Sequence, residues 1–328
     1  MPSSVDLCIR SCGTVLLAAA LLGLSLAPVR ADDIALLDLG PGTRPAALGQ
    51  AYVALADDVH AVFWNPAGLG YSRRVQAQFM HHQWLQNSTA EYLAAAYPVG
   101  PGTAGLACGL MQFGEFDAYD EYEQPQGSFS ALEGYVSGAY GWSFFPGASC
   151  GAALKLPFSS LADDTRLGVN ADVGAAYVFQ TVPVIRAGAA VANFLTWGLA
   201  GSAAEIRLGL AIQEKSGLQL SVEADRRIVP GLWFLRMGAE YACTRWVALR
   251  LGHMQPLADS GLPGYGLTAG VGFHVEVEPL VFDVGYAYAP YGPLGQTHRL
   301  DLTAELPDFF RPAAASPLPL APAKKTKK

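Results

Sequence analysis

Apolar residues alternate with small or polar residues along most of the chain. In GYGLTAGVGFHV, residues 264–275, apolar side chains occupy every second position, and glycine, threonine and histidine fill the positions between them. EIRLGLAIQ, residues 205–213, places isoleucine and leucine on one face and charged residues or glycine on the other. A period of two is the signature of a β-strand. The pattern therefore predicts an all-β protein.

The same alternation predicts fourteen strands. Most are as long as the ~9–11 residues that a tilted strand needs to cross a bilayer. We expect them over residues 73–84, 90–99, 103–114, 130–144, 149–158, 166–180, 183–194, 204–214, 217–226, 231–243, 245–254, 264–276, 279–290 and 297–306.

The connections between these strands alternate in length. Those after even-numbered strands are short, as at residues 181–182 and 215–217, whereas several after odd-numbered strands are longer, as at 115–129, 159–165 and 254–264. Outer-membrane barrels have short periplasmic turns and longer external loops. An even strand count then places both chain ends in the periplasm.

Composition favours a membrane barrel over a soluble sandwich. Charged residues make up 15% of the chain, whereas soluble domains contain about 25%. A sandwich would expose polar residues on its outer face, but here the second face carries mainly small residues and a few charges. Aromatic residues near strand ends, such as Trp84, Trp142 and Trp246, suit the two membrane interfaces. We predict a transmembrane antiparallel β-barrel in the outer membrane, in contact with its lipid.

The two ends of the chain differ from the strand region. Residues 1–31 contain an apolar run that ends in Val-Arg-Ala, which predicts a secretory signal peptide cleaved after Ala31. Strands occupy residues 73–306. Residues 307–328 form a Pro/Ala/Lys tail that we expect to be disordered and periplasmic. The formal net charge of −7 argues against a nucleic-acid partner, and the cysteines have no zinc spacing, so we expect neither metal nor cofactor.

Residues 32–72 precede the first strand and are predicted to fill the barrel. Eight strands enclose a space that side chains just fill, whereas ~16–18 leave a channel, so fourteen strands need a plug. In LADDVHAVFWNPAGLG, residues 55–70, we expect Asp58 to cap a helix over 59–64, Pro66 to end it and Gly68 to permit a turn. Asp57 and Asn65 would bind the wall or the plug backbone. Adjacent carboxylates make a poor acid/base pair, and calcium binding is a weaker alternative.

Three stretches resemble a known family. RPAALGQAYVALADDVHAVFWNPAGL, residues 44–69, is similar to the N-terminal signature of the PorV/PorQ family, which itself resembles FadL-type long-chain fatty acid transporters. Residues 236–253 and 282–302 resemble its late strand pair and its final hairpin. The resemblance implies a 14-stranded outer-membrane barrel with an N-terminal hatch that contains Asn65, Pro66 and Ala67.

The resemblance also implies a function. FadL-type members take up hydrophobic or amphipathic compounds such as long-chain fatty acids, and PorV-type members act as partners of exported proteins in type IX secretion. A transporter would need an apolar pocket, for which we expect Phe194 and Trp197, with Leu199, at the external mouth. Inward arginines, Arg207, Arg236 and Arg250, would bind an anionic head group, although pairing with wall carboxylates is the alternative role. We expect no enzymatic activity.

Overall fold

The computed structural model describes residues 35–162, 164–198, 204–228, 231–257 and 266–306. Fourteen antiparallel strands form a closed barrel in which each strand pairs with its neighbours in sequence and β14 closes onto β1. This confirms the predicted fold and strand number. The predicted signal peptide, the C-terminal tail and Leu199 lie outside the described residues.

The strand positions agree closely with the sequence pattern. Their bounds are Val75–Gln83 (β1), Thr89–Val99 (β2), Gly102–Tyr119 (β3), Pro125–Phe145 (β4), Ala148–Leu161 (β5), Asp164–Phe179 (β6), Val184–Gly198 (β7), Glu205–Gln213 (β8), Leu218–Arg227 (β9), Trp233–Ala242 (β10), Val247–Pro256 (β11), Leu267–Val277 (β12), Leu280–Pro290 (β13) and Gln296–Leu306 (β14). We call the end with the connections after even-numbered strands the turn end, and the opposite end the loop end.

Two predicted loops are wrong, because the strands continue through them. β3 extends to Tyr119 and β4 begins at Pro125. Likewise, β5 extends to Leu161 and β6 begins at Asp164. The β3–β4 pairing shifts register between Gln112 and Glu115 and then resumes. A bulge absorbs the extra residues, so a change in alternation there does not end the strand.

The outer face of the barrel is apolar. On β8, Glu205 and Arg207 are buried, while Leu208 and Leu210, on the opposite face, are more than half exposed. Large apolar side chains are exposed in the same way around the wall: Phe79, Leu93, Leu106, Val136, Leu154, Leu220, Leu249, Phe273 and Leu300. Alternation with the apolar side outward is the arrangement that a surrounding bilayer requires. Within the described part of the chain, no helix is long and apolar enough to cross a membrane.

Residues 35–72 pack against the inward-facing side chains of the wall, and we call them the inner segment. They include three short helices, Ala35–Leu39 (α1), Thr43–Ala47 (α2) and Ala61–Trp64 (α3), and a 3-10 helix, Pro66–Gly70. The amide of Leu36 bonds to Glu133 toward the loop end, whereas the hydroxyl of Tyr71 donates to Gly147 in the β4–β5 turn. The segment thus runs along the lumen between the two ends.

The inner segment supplies most of the apolar core. Tyr52, Phe63 and Trp64 are almost fully buried and pack with the inward wall residues Tyr92 and Tyr135. A barrel has no core of its own when its apolar residues face outward. Burial of the inner segment is therefore the main source of hydrophobic stabilisation inside this one.

Candidate functional site: the inner segment and its seat in the wall

Glycines on the inward face bring the inner segment against the wall. A Cβ atom at Gly188 would overlap the carbonyl oxygen of Val53, and one at Gly151 would overlap that of Pro66. The series follows the segment around the barrel through Gly105, Gly141, Gly174, Gly209, Gly238, Gly252, Gly270 and Gly285, where a Cβ atom would meet residues between Thr43 and Leu69. The wall and the segment therefore fit closely: some of these glycines face segment backbone, as at Gly151 and Gly188, and others face segment side chains, as at Gly174.

The Asn-Pro-Ala-Gly motif lies at one of these close approaches. The buried amide of Asn65 donates to the carbonyl of Val53 at 2.8 Å and of Ala175 at 3.3 Å, and its oxygen accepts from the amide of Ala67 at 3.1 Å. Asn65 therefore ties together two parts of the inner segment and strand β6. This is the role expected for it from sequence.

Pro66 and Gly68 act partly as expected. Asn65 is extended, with φ −161°, and Pro66 begins a 3-10 helix directly after α3. Gly68 is needed for space, because a Cβ atom there would overlap the carbonyl oxygen of Ala56. The expected turn at Gly68 is thus replaced by a close packing contact.

Asp58 does not cap α3 as predicted. The residue before that helix is His60, and no side chain bonds to its first free amides. Asp58 instead accepts from the amide of His60 at 3.0 Å and from the hydroxyl of Tyr52 at 2.6 Å. The helix begins two residues later than expected because Asp58 forms a turn of its own before it.

Asp58 and His60 form a charged pair inside the barrel. The carboxylate of Asp58 lies 3.0 Å from Nδ1 of His60, and Asp301 of β14 lies 3.8 Å from Nε2. Burial opposes both charges, yet the pair and Arg44 hold the pKa of Asp58 well below its usual range. Burial likewise opposes a charge on His60, but Asp58 and Asp301 raise the pKa of His60 to about 9. The two carboxylates therefore favour the charged form of His60.

Asp57 and Arg44 connect the inner segment to three strands. Asp57 pairs with Arg186 of β7 at 2.6 Å. Arg44 donates two hydrogen bonds of 2.9 Å to Glu240 of β10, and Glu240 also pairs with Arg250 of β11 at 2.7 Å. Bidentate arginine–carboxylate pairs are among the stronger and more directional polar contacts.

Further wall residues hold the inner segment by its backbone. Glu223 of β9 accepts from the amides of Tyr52 and Val53, both at 2.8 Å. Asp301 accepts from the amide and hydroxyl of Thr43, and Arg299 donates to the carbonyls of Leu39 and Gly40. Sequence reasoning missed these roles. Asp301, Arg299 and Glu223 could be placed on the inward face, but nothing in the pattern indicates which backbone group each one meets.

The arginines predicted to bind a ligand are paired with carboxylates. Arg207 binds Glu205, and Arg236 binds both Asp225 and Glu205, in a cluster that is almost entirely buried. Arg250 binds Glu240. The structural alternative left open from sequence therefore describes the observed contacts. An anionic ligand would have to displace a wall carboxylate.

Phe194 and Trp197 do not share a pocket. Asn193 forms a bulge with φ 53°, and beyond it Trp197 pairs with Val169 on the outward face. Trp197 is 75% exposed and lies near the loop end of β7, while Phe194 is half-buried on the other face. The bulge adds two residues to β7 between Val191 and Leu195, so the same alternation continues beyond it, and Phe194 and Trp197, three positions apart, lie on opposite faces.

Within the described ranges, no three His, Cys, Asp or Glu residues are placed to hold a metal ion. The Asp57–Asp58 pair instead serves ion pairing between the segment and the wall. The arrangement can hold the inner segment in place, and polar contacts of this type can also be exchanged for water.

Known proteins share the fold. A sequence profile of an uncharacterised protein family (UPF0164) matches residues 29–180. A comparison with curated proteins finds no match. The toluene transporter TodX of Pseudomonas putida is similar in structure, with a TM-score of 0.59 and 11% identity, over 81% of this chain and 96% of that one.

Two further solved structures are similar. The toluene transporter TbuX of Ralstonia pickettii gives a TM-score of 0.56 at 13% identity, over 81% of this chain and 97% of that one. A FadL homologue of Pseudomonas aeruginosa gives 0.51 at 11%, over 81% and 98%. At such identities the comparison establishes the shared barrel fold. The resemblance to PorV and PorQ is not confirmed by it.

The close approach at Gly151 predicts that a larger residue displaces the inner segment. Gly151→Val places side-chain atoms into the backbone of Pro66, and overpacking of this kind costs ~1–3 kcal/mol. Valine suits a strand, so the barrel itself should persist. We expect Ala54→Cys, in a chain whose other cysteines are Ala, to react at least several-fold faster with a soluble maleimide when Gly151→Val is present. The control is Ala152→Val, on the outward face of the same strand; equal rates in the two variants would contradict the fit.

Asn65→Ala should destabilise the same contact through the groups it abandons. The carbonyls of Val53 and Ala175 and the amide of Ala67 lose their partner, at a cost of ~1–3 kcal/mol. Asn65→Asp keeps the acceptor for Ala67 but loses both donors and buries a charge, so it should be at least as damaging. Thermal unfolding in detergent measures both, with the exposed Gln112→Ala as control. An Asn65→Ala midpoint equal to that of the wild type would restrict Asn65 to a local turn role.

Proposed function

We propose that the protein is an outer-membrane channel for small hydrophobic compounds, and that the inner segment is the plug that closes it. One observation carries this proposal: a fourteen-stranded wall with an apolar exterior encloses a separate segment that fits it closely. A structural barrel alone would need fewer strands to close on its own side chains. A wide wall with a fitted insert is the form of a passage that is normally closed.

We assign the turn end to the periplasm. β1 begins at this end, at Val75, and β14 finishes there, at Leu306. The connections at this end are short. Short turns on the periplasmic side are the rule in outer-membrane barrels. With this orientation, the first strand begins and the last strand ends on the periplasmic side.

The polar contacts of the plug are the ones suited to release. Arg44, Asp57 and Asp58 retain between 20% and 26% of their side-chain exposure, so water reaches them in the closed state. Their partners Arg186, Glu240 and Arg250 lie toward the turn end of their strands. Ion pairs that water reaches contribute less to stability than fully buried ones. These ion pairs are therefore easier to separate than the packed glycine contacts.

Neutral compounds fit the lumen better than long-chain fatty acids. Arg207, Arg236 and Arg250 are each engaged by wall carboxylates, and separating a buried ion pair leaves an unpaired charge at a cost of ~3–5 kcal/mol. A neutral apolar compound requires no such separation. TodX and TbuX are toluene transporters by name, and we propose a cargo of comparable polarity.

The β3–β4 hairpin favours a second candidate, a partner in protein secretion. Beyond Gln112 and before Ala131 the hairpin pairs with neither neighbouring strand and projects from the loop end. Between these residues the sequence has five carboxylates and no lysine or arginine, and Tyr119 and Tyr122 are well exposed. Such a surface suits a basic protein.

Replacing residues 115–129 by a short turn should leave uptake intact under the channel proposal but abolish co-purification of a secreted protein under the alternative.

The channel proposal predicts that a weaker plug leaks. Arg44→Met removes the bidentate contact with Glu240 and the contacts with both aspartates while keeping a similar apolar stem. We expect ion conductance in planar bilayers to rise above the closed wild-type level. In cells whose outer membrane contains the protein, uptake of a neutral aromatic hydrocarbon should exceed that of a sixteen-carbon fatty acid.

Arg73→Met is the matched control, because Arg73 contacts only carbonyls of the β2–β3 turn. It should leave conductance and uptake at the wild-type level. If cells with and without the protein take up the hydrocarbon equally, the channel proposal is wrong. If uptake depends on the protein but Arg44→Met stays closed, only the assignment of the plug is wrong.

A further inference from the structure

A groove of about 510 Å³ crosses the outer face of strands β6 to β10. Ala175, Ala187 and Ala189 form its shallow centre, and these residues pair with one another or with leucines across β6, β7 and β8. Tyr177 borders one side, and Leu208 and Leu210 border the other. Neighbouring regions of the belt carry large exposed side chains, so the alanines leave a depression in an otherwise filled surface.

The wall beneath the groove is one backbone layer thick. Gly188 and Gly209 line its floor, and their inward sides touch Val53 of the inner segment. Here β7 has alanine on its outward face and glycine on its inward face, so neither face carries a large side chain. The glycines are explained by the seat of Val53, but nothing on the inner side requires the alanines outside.

The position of the groove identifies the chemistry of its occupant. It lies within the outward belt of exposed leucine, valine and phenylalanine residues, which only hydrocarbon can cover favourably. Its volume is in the range of small-molecule sites, roughly 300–1,000 Å³, and its lining is aliphatic apart from the Tyr177 ring. The lipid tails around the barrel are as apolar as this lining, so a bound chain is held by van der Waals packing in the groove, without needing a polar partner.

The groove starts near the turn ends of β6 and β7, at Tyr177 and Ala187, and rises to Ala224 and Leu235, which lie nearer the loop ends of β9 and β10. Under the orientation proposed above, its lower end opens to the periplasmic leaflet, from which a phospholipid chain can enter it. We propose that the groove is a binding site for one acyl chain of a phospholipid, which stays with the barrel when the surrounding bilayer is removed. The proposal rests on that orientation, but not on any uptake activity.

Native mass spectrometry of the full-length protein tests the proposal. Protein reconstituted with phosphatidylethanolamine and transferred to detergent should retain one lipid per barrel through mild delipidation. Ala189→Phe fills the centre of the groove, so retention should fall at least tenfold. Ala95→Phe makes the same change at an exposed outward alanine of β2 and should retain lipid like the wild type.

Four results would overturn the proposal. The wild type could hold no lipid, Ala189→Phe could hold as much as the wild type, or the wild type could form a dimer that Ala189→Phe disrupts, which would make a second barrel the occupant. A chain that retains lipopolysaccharide acyl chains but no phospholipid would also contradict it. The uptake assay is independent, because loss of lipid retention with normal uptake refutes only the groove.

Discussion

The close fit between the glycine-lined wall and the inner segment is the constraint on which the structure depends. The barrel turns its large apolar residues outward, so the lumen must be filled by something other than the wall. Residues 35–72 fill it, and Gly141, Gly151, Gly188 and Gly252 are among the positions that let the backbone of the segment reach the backbone of the wall. Several polar side chains of the wall then bond directly to the segment, among them Glu223, Asp301 and Arg299.

Two kinds of contact hold the inner segment, and each kind has a different role. The glycine contacts and the aromatic cluster around Phe63, Trp64 and Tyr135 exclude water and set the position of the chain. The charged contacts of Arg44, Asp57 and Asp58 are partly hydrated and connect to β7 and β10. A plug needs both properties, because it must seal the lumen and still be able to leave its seat.

The sequence predicts the barrel well because alternation is a local property. Each strand shows it independently, and a misplaced boundary such as those predicted at residues 114 and 194 disturbs only its own strand. The partners of the inner segment are different, since Thr43 meets Asp301 and Arg44 meets Glu240 only after the wall has closed. Side-chain parity places Asp301 and Glu240 inside, but register and tilt decide what they contact. The inward glycines were the one readable sign of the seat, because they recur with the same parity on strand after strand.

Hydrogen exchange of the inner segment in a lipid bilayer tests the central claim most directly. The amides of Tyr52 and Val53 donate to Glu223 in the closed state, so they should exchange slowly in the protein alone. Addition of a transported hydrophobic compound should speed their exchange while the strand amides of β8 and β9 stay protected. If the compound crosses the membrane through the barrel while Tyr52 and Val53 keep their full protection, the inner segment is a fixed core and not a plug.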